Sequence, residues 1–279
     1  MNGNLSSKGS KVMECRRLAG GEFAAGEVSV AAETELPVYV NGRHLATASI
    51  VPGMEREFVT GYLFGQGFMN SLEEISSIDV EGEAARVTLK GSADFSVSPG
   101  KTSYRIVSGG GRTTYAGDAG LRRIKSGMKI HKDAVFRAMN TLYEKAEMYR
   151  ETEGVHAAGL FNTGGEPVRI VEDIGRHNTI DKLIGYGLIY GIDFSSVLLA
   201  STGRMASEMV TKICRAGIPV AATKTAVTDK GLEIAVKCGQ TVIGFVRDAG
   251  TEINTDMEVR VIREAGMKIY CGAKRVLCE

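Results

Sequence analysis

The sequence predicts an α/β protein in which a layered C-terminal α/β domain follows a smaller α+β part. From residue 155 onward, strand-length and helix-length segments follow one another in the order β-β-α-β-α-β-α-β, which is typical of a layered domain with largely parallel inner strands. Upstream, two β-rich runs surround Asn41-Gly42, the strongest short-range signal for a β-hairpin. Between the two parts, residues 132–152 place apolar side chains on one helical face, and this amphipathic helix joins them.

Composition narrows the function before any motif is considered. The chain has 279 residues, a formal net charge of +1 and no tryptophan, so neither charge nor aromatic content favours a nucleic-acid partner. No apolar run approaches the roughly 18 residues that cross a bilayer, and we expect no membrane partner. The five cysteines show no CxxC spacing, which argues against a zinc knuckle and fits a reducing cytoplasm.

The chain divides into three predicted segments. Residues 1–27 are polar and rich in Gly and Ser, and this composition predicts a disordered tail. Residues 28–130 form the N-terminal α+β part, which includes the glycine run 109–111. Residues 131–279 form the C-terminal domain, in which strands and helices follow the order of cytidine-deaminase-like folds.

The N-terminal part combines hairpins with one short helix. Residues 35–51 form the hairpin around the Asn-Gly turn, and residues 53–69 form a helix that glycines end. A second hairpin is expected over residues 78–91. Residues 102–107 form a strand that leads into the glycine run.

The C-terminal domain supplies the remaining elements. Its predicted strands cover residues 155–162, 167–173, 195–201, 218–225 and 240–248. Its predicted helices cover residues 176–191, 202–217 and 227–239. Because ligands of such sheets gather where strands run into helices, the loops after these strands form the candidate site.

Four of those loops carry more polar and basic groups than a turn requires. The candidate binding residues in them are Arg176, His177, Thr202, Gly203, Arg204, Lys224 and Arg247. Helix N-termini favour anions, and an arginine can hold a phosphate through two hydrogen bonds, so together the loops predict a nucleotide-like ligand with phosphates. The alternative is local, with Asp173 paired to Arg176 and Asn178 capping the helix.

A zinc deaminase is the rival function for this order of elements. Its zinc requires a His or Cys and two further cysteines at the starts of two successive helices, with a glutamate that moves protons. The first helix start offers Arg176-His177-Asn178-Thr179 without that glutamate, and the second has no cysteine. We therefore expect no zinc and no deaminase chemistry.

The segment IVSGGG (106–111) raises a separate question, since three consecutive glycines indicate a role for the backbone. The run binds an anion through its amides, forms a flexible loop tip, or marks a position from which a reactive residue has been lost. The residues of the segment by themselves do not decide between these three interpretations.

Several long motifs resemble the formate dehydrogenase accessory protein family (FdhD). They are LPVYVNG, GYLFGQGF, EDIGRHNTIDKLIG, STGRMASEMVTKICRAGIPV and TVIGFVR, within a stretch from about residue 33 to 256. The EDxGRHNxxDK and SGRxSxEM-type segments are long and specific. The resemblance implies a C-terminal domain similar to the deaminase fold. It also implies a role in supplying sulfur to the molybdenum cofactor before the cofactor enters formate dehydrogenase.

The resemblance gives the glycine run a meaning. In the family this loop carries a cysteine that bears a persulfide. The first cysteine position of the family's loop falls on Ser108, which the resemblance implies as the catalytic position, and the second cysteine position falls on Gly111. The chain has no cysteine between Cys15 and Cys214, and a serine hydroxyl cannot carry sulfane sulfur because a persulfide needs a polarizable thiolate. Either the protein binds cofactor without sulfurtransferase-like activity, or another cysteine reaches the site.

The resemblance also places the cofactor and the partners. The stretch that corresponds to molybdopterin guanine dinucleotide binding is Phe245, Val246, Arg247, Asp248, Ala249 and Gly250, and GDP would mimic part of that cargo. Family members carry glycine at the position of Asp248, and a carboxylate there weakens anion binding. The implied partners are a cysteine desulfurase and a formate dehydrogenase, and the implied assembly is a homodimer. The alternative is a nucleotide- or pterin-binding regulatory or chaperone module without transferase activity.

Overall fold

The structure is a computed structural model that describes residues 9–81, 84–90, 104–106, 120–248, 252–255, 258–261 and 265–279. Its helices are α1 (Glu55–Gln66), α2 (Lys132–Lys145), α3 (Glu147–Thr152), α4 (Arg176–Ile189), α5 (Ser207–Arg215) and α6 (Asp229–Cys238). Its strands are β1 (Ser10–Ala19), β2 (Glu22–Ala31), β3 (Thr34–Val40), β4 (Arg43–Ile50), β5 (Ile75–Glu81), β6 (Ala84–Leu89), β7 (Tyr104–Ile106), β8 (Ile130–His131), β9 (His156–Phe161), β10 (Pro167–Asp173), β11 (Leu198–Ser201), β12 (Val220–Thr223), β13 (Thr241–Arg247), β14 (Glu252–Thr255), β15 (Glu258–Val261), β16 (Gly266–Cys271) and β17 (Val276–Leu277). None of these described helices is long and apolar enough to cross a membrane.

The C-terminal part is built on a six-stranded sheet in the order β10-β9-β11-β12-β13-β16. The inner strands β11, β12 and β13 are parallel, whereas β9, β10 and β16 run antiparallel to their neighbours. Every residue of β11 and β12 is buried, as expected for parallel strands covered on both faces. These observations confirm the α/β class and the predicted order of elements. The likeness of the strand order to cytidine deaminases stays a prediction.

A second sheet of five strands, in the order β5-β6-β3-β4-β7, organises the N-terminal part. Strands β3 and β4 are the predicted hairpin, and Asn41 and Gly42 at its turn have positive φ angles of 48° and 78°. Two left-handed residues in a row define a type I′ turn, whose twist matches that of the strands. The second predicted hairpin is confirmed as β5 and β6.

The helix predicted over residues 132–152 is confirmed with one interruption. Ala146, with φ and ψ of −80° and 80°, separates α2 from α3. The predicted apolar face, formed by Val135, Met139, Leu142 and Ala146, is buried. It packs with alternate residues of the main sheet on one face of that sheet, while α1, α4, α5 and α6 pack on the other.

The prediction of a disordered tail over residues 1–27 was wrong for the described residues from 9 onward. Strands β1 and β2 form an antiparallel hairpin there. Its turn is Gly20-Gly21, with positive φ angles of 60° and 87°, and such a pair favours tight hairpins. The polar composition predicted disorder, but it obscured the β-forming residues on either side of this turn. Residues 1–8 lie outside the described part, and the boundaries at residues 28 and 131 stay predictions.

Helices α1 and α4 cross so closely that the contact requires glycine. A Cβ atom on Gly61 of α1 would overlap the backbone carbonyl oxygen of Asp181 in α4. A Cβ atom on Gly185 of α4 would overlap the carbonyl oxygen of Glu57 in α1. The two backbones therefore touch directly, and this contact holds the N-terminal part against the C-terminal layer.

Replacement of Gly61 by alanine is expected to destabilise the protein strongly. The added methyl group meets backbone, so the helices must separate, at a cost of about 3 kcal/mol or more. Urea unfolding followed by circular dichroism measures the loss. Gly127→Ala is the matched control, because a Cβ atom there has open space around it. A Gly61→Ala protein as stable as the wild type would contradict the packing argument.

Candidate functional site

The loops at the carboxyl ends of the inner strands are bonded to one another. The hydroxyl of Thr223 donates to the carbonyl oxygen of Gly203 at 2.7 Å, which joins the loops after β12 and β11. The amide of Phe245 donates to the carbonyl oxygen of Thr225 at 3.0 Å, which joins β13 to the same loop. The predicted site residues on these loops therefore lie along one edge of the sheet, here called the cationic edge and defined by Arg176, Arg204, Lys224 and Arg247.

The acidic residue that precedes α4 belongs to a buried network rather than to the cationic edge. One carboxylate oxygen of Asp173 lies 2.7 Å from Nζ of Lys182 and accepts from the amide of Val51. The other accepts from the side-chain amide of Asn178 at 2.7 Å. Lys182 also donates to the carbonyl oxygen of Val51 at 3.0 Å. This network ties the start of α4 to the end of β4, and Asp173 pairs with Lys182 rather than with Arg176.

Because Asp173 pairs with Lys182, the first residue of α4, Arg176, does not pair with Asp173. Arg176 packs against the loop after β11, where a Cβ atom on Gly203 would lie 2.9 Å from Cβ of Arg176. Burial and then the nearby charge of Arg204 lower the pKa of Arg176. Its Nε is buried and has no hydrogen-bond partner within the described residues. The positive charge of Arg204 thus acts on the guanidinium of Arg176, an arrangement that an anion would stabilise.

The histidine that follows is held neutral. His177 is buried, with Nε2 lying 3.4 Å from Oε2 of Glu208. Burial, followed by the charges of Lys212 and Arg176, lowers the pKa of His177 to about 3. At neutral pH the ring therefore offers one N–H and one lone pair rather than a charge.

Two of the predicted binding residues in the loop after β11 already have hydrogen-bond partners. The hydroxyl of Thr202 accepts from the amide of Ala157 at 3.1 Å, and it lies 3.4 Å from Nδ1 of His156. The amide of Gly203 donates to the hydroxyl of Ser201 at 3.1 Å. These groups hold the loop in shape, and the side chain of Arg204 in the same loop is exposed; its role in binding an anion stays a prediction.

Lys224 lies over an aromatic ring that the sequence did not indicate. Its Nζ is 4.3 Å from the ring centroid of Tyr143 in α2, a cation–π contact. Burial and then the charge of Arg247 lower the pKa of Lys224. Tyr143 was missed because it lies on a helix far along the chain, and a tyrosine in an amphipathic helix carries no sequence signal for a ligand site.

At the end of β13, the aromatic ring of Phe245 lies close to two cationic side chains. Phe245 has a positive φ of 52°, which is unusual for a non-glycine residue. Its ring centroid lies 5.4 Å from the guanidinium carbon of Arg247 and 4.8 Å from Nζ of Lys268. Val246 between them is buried, and Nε of Arg247 is buried without a hydrogen-bond partner in the described residues.

The carboxylate of Asp248, which the sequence placed near the cofactor, has a hydrogen-bond partner. Oδ2 of Asp248 accepts from the side-chain amide of Asn140 at 2.8 Å. The predicted binding residues Ala249 and Gly250 lie outside the described residues, as do Ser108 and the glycine run. Their proposed roles stay predictions.

The five cysteines are free thiols that differ in burial. Cys214 and Cys238 are buried, Cys15 and Cys271 are half-buried, and Cys278 is exposed. A hydrogen bond with Cys238 and burial raise the pKa of Cys214, so its thiol stays protonated and unreactive. Within the described residues, no group of three or more His, Cys, Asp or Glu side chains could hold a metal ion.

Fold and site together define a layered α/β protein with a cationic sheet edge suited to an anionic ligand. The family follows from comparison with known proteins: the FdhD/NarQ family model matches residues 31–277, and the chain belongs to this family. The sulfur carrier protein FdhD of Geobacillus kaustophilus is 31% identical over 265 residues, which cover 92% of this chain and 99% of the relative. That of Sulfurisphaera tokodaii is 34% identical over 216 residues, covering 76% and 82%.

A solved structure agrees with the fold. The crystal structure of a protein assigned as a formate dehydrogenase accessory protein, from Desulfotalea psychrophila, superposes with a TM-score of 0.75. It is 22% identical and covers 96% of this chain and 99% of its own. At this identity the likeness concerns the fold. The match confirms the α/β architecture over nearly the whole chain.

Loss of the cation in the buried network is expected to be costly. Lys182→Met leaves the carboxylate of Asp173 buried without a counter-charge, which destabilises folding by about 3–5 kcal/mol. Thermal and urea unfolding measure the change. Arg137→Met is the control, because Arg137 and Glu166 form an exposed pair at 3.9 Å and such pairs contribute about 1 kcal/mol or less. Similar losses in the two variants would contradict the network's role.

Proposed function

We propose that this protein is an accessory protein of formate dehydrogenase that binds and handles the molybdenum cofactor as molybdopterin guanine dinucleotide. The observation that carries the proposal is the cationic edge, where Arg176 and Arg247 each have a buried Nε without a partner within the described residues. A buried donor without an acceptor is costly, and the oxygens of a pyrophosphate would satisfy both donors. The expected setting is the cytoplasm, with a homodimer as the assembly.

The charge balance at the edge supports a polyanion rather than a single carboxylate. After burial, the nearby charge of Arg204 lowers the pKa of Arg176, and that of Arg247 lowers the pKa of Lys224. The carboxylate of Asp248 accepts a hydrogen bond from Asn140, which fixes the position of the carboxylate and leaves its negative charge in place. Charge-assisted hydrogen bonds of this kind contribute about 1.5–3 kcal/mol each.

The cofactor would also meet an aromatic group. The ring of Phe245 lies close to two cations and at the end of the strand that the family resemblance assigns to the dinucleotide. A flat ring system such as guanine can stack on an aromatic side chain, which favours binding by about 1–3 kcal/mol. Phe245 and Arg247 would then contact neighbouring parts of one ligand.

Sulfur transfer is the part of the family role that this chain's residues do not favour. The position of the persulfide cysteine holds Ser108, whose oxygen cannot form or regenerate a persulfide. Cys214 and Cys238 are buried. We therefore favour cofactor binding over sulfur relay from a cysteine desulfurase, and a regulatory or chaperone module for nucleotides or pterins is the second candidate function.

Arg204→Ala is expected to weaken GDP binding about tenfold or more, because one charge-assisted contact is lost. The stability of the free protein should hardly change, since Arg204 is exposed. Isothermal titration calorimetry measures affinity, and thermal unfolding measures stability. Arg137→Ala, at another exposed arginine, serves as control. A loss of stability with unchanged affinity would mean that these arginines serve the fold and not a ligand.

Ser108→Cys is expected to introduce persulfide formation at the loop position that the family resemblance assigns to sulfur transfer. Each variant is incubated with a cysteine desulfurase and sulfur-labelled cysteine, and protein-bound persulfide is measured after removal of small molecules. We expect label on Ser108→Cys and background label on the wild type. Ser76→Cys is the matched control at an exposed serine elsewhere. Stoichiometric label on the wild-type protein would overturn the binding-only role.

A further inference from the structure

The hairpin formed by β1 and β2 exposes apolar side chains to an unusual degree. Of the large hydrophobic residues exposed in the described part of the chain, five lie on this hairpin: Val12, Leu18, Phe23, Val28 and Val30. Leu18 and Phe23, directly opposite each other near the tip, are 62% and 64% exposed. The strand register places Val12, Leu18 and Phe23 on one face of the hairpin and Val28 and Val30 on the other. A two-stranded hairpin is at best marginally stable in water by itself, and exposed apolar side chains such as those at its tip are typical of an interaction surface.

The base of the hairpin contacts the rest of the protein, whereas its two strands form a separate sheet. Gly9 lies against Val51 and Met148, and its carbonyl oxygen accepts from the amide of Ala32 at 2.9 Å. Helix α3 packs beside β2. Within the described residues the hairpin forms its own two-stranded sheet, so the outer edge of β1 is open for pairing.

The charges on the hairpin are arranged unfavourably within one chain. Glu14 of β1 and Glu27 of β2 are directly opposite each other and share a face, and like charges in that position are destabilising. The guanidinium of Arg17 donates to the backbone oxygen of Glu27 rather than to its carboxylate. Neither carboxylate takes part in the ion pairs of the described residues. A cation from outside the chain would relieve this repulsion.

We propose that β1 pairs antiparallel with β1 of a second copy of this chain, about a two-fold axis at Cys15. In this register Glu14 lies opposite the partner's Arg16, and Arg16 lies opposite the partner's Glu14. Val12 lies opposite the partner's Leu18, which brings exposed apolar residues together. Each Glu14–Glu27 pair thereby gains a neighbouring guanidinium, and the two hairpins form one four-stranded sheet.

The register is specific. A shift of the axis to Glu14 would place two glutamates opposite each other, and a shift to Arg16 would place two arginines together; both arrangements are unfavourable. The backbone agrees with the axis at Cys15. Because Ala19 and Glu22 close the two-residue turn, odd-numbered residues of β1 bond to β2, and even-numbered residues present their N–H and C=O groups on the open edge. Glu14 and Arg16 would thus exchange backbone hydrogen bonds with the partner strand.

The surface is also adequate in extent. A ten-residue strand is about 34 Å long, and the proposed register overlaps residues 11–19 of both copies. A concave recess lined by Glu14, Cys15, Arg16, Ala25, Gly26 and Glu27 lies at the middle of the hairpin, next to the residue at which the axis is proposed. Sheet pairing along an open edge supplies main-chain hydrogen bonds, and the side chains supply the selectivity for a second copy.

A charge-swap series tests the proposal on the full-length chain by sedimentation velocity. We expect the wild type to dimerise at micromolar concentration, and Arg16→Glu or Glu14→Arg to raise the dimer dissociation constant about tenfold or more. The double variant Glu14→Arg/Arg16→Glu restores both cross-copy pairs and should recover dimerisation. Lys230→Glu, at an exposed lysine of α6, is the control of equal charge change and should dimerise as the wild type does.

Three results would overturn this interface: a monomeric wild type, single variants that dimerise normally, or a double variant that does not recover. Recovery in the double variant also shows that the single changes did not simply unfold the hairpin. Binding of a formate dehydrogenase to the hairpin of a monomeric wild type would assign the surface to that partner instead. None of these outcomes depends on the cofactor, so they are distinct from failure of the proposed function.

A cross-link provides the second measurement, in a Cys278→Ser background. Directly opposite cysteines on antiparallel strands lie within disulfide range. Diamide should join two chains through Cys15, as each thiol loses a proton and an electron and the azo group is reduced to a hydrazine. Cys15→Ser should abolish the covalent dimer. A covalent dimer that persists in Cys15→Ser would place the contact elsewhere.

Discussion

The backbone contact between α1 and α4 is the constraint on which the rest of the structure depends. At Gly61 and Gly185 the helices approach until peptide groups touch, with no room for a side chain. The sheet of the N-terminal part is thereby fixed to the layer of helices that covers the main sheet. Close packing of this kind is rigid because backbone atoms in direct contact cannot move aside as a flexible side chain can. The start of α4, and with it the cationic edge, takes its position from this contact.

The motif around α4 therefore has two functions on opposite sides of one helix. Asp173, Asn178 and Lys182 are buried and bind one another and the end of β4. Arg176 and His177 instead face the loop after β11 and Glu208. Part of the EDIGRHNTIDKLIG motif therefore stabilises the fold. Its buried ions form a network, and Arg176 and His177 lie outside that network.

The charged forms of two side chains at the cationic edge are destabilised, and an anionic ligand would stabilise them. Burial, and after it a neighbouring positive charge, lowers the pKa of both Arg176 and Lys224, which means that the fold disfavours their charged forms relative to water. This cost is characteristic of binding sites, where a preorganised charge arrangement is compensated when the counter-charge arrives. The buried networks around it provide the rigidity that keeps the cations in place.

The sequence by itself determined the α/β class, the order of elements in the C-terminal domain and the hairpin at Asn41-Gly42. These depend on local periodicity and turn chemistry, which neighbouring residues carry. It also indicated Arg176, Arg204, Lys224 and Arg247, because parallel strands bring their following loops to one edge. Its composition misled at the N-terminus, where a hairpin forms instead of a tail.

Only the tertiary structure decided which partner each side chain has. Asp173 bonds Lys182 rather than Arg176, Tyr143 lies under Lys224, and Asn140 holds Asp248. These residues are close in space and mostly distant along the chain, and no local pattern distinguishes them from other polar residues on helices. The direct approach of α1 and α4 is equally invisible in sequence, since a glycine in a helix is ordinarily only a weakness. Its value here comes from the opposing backbone that occupies the place of a side chain.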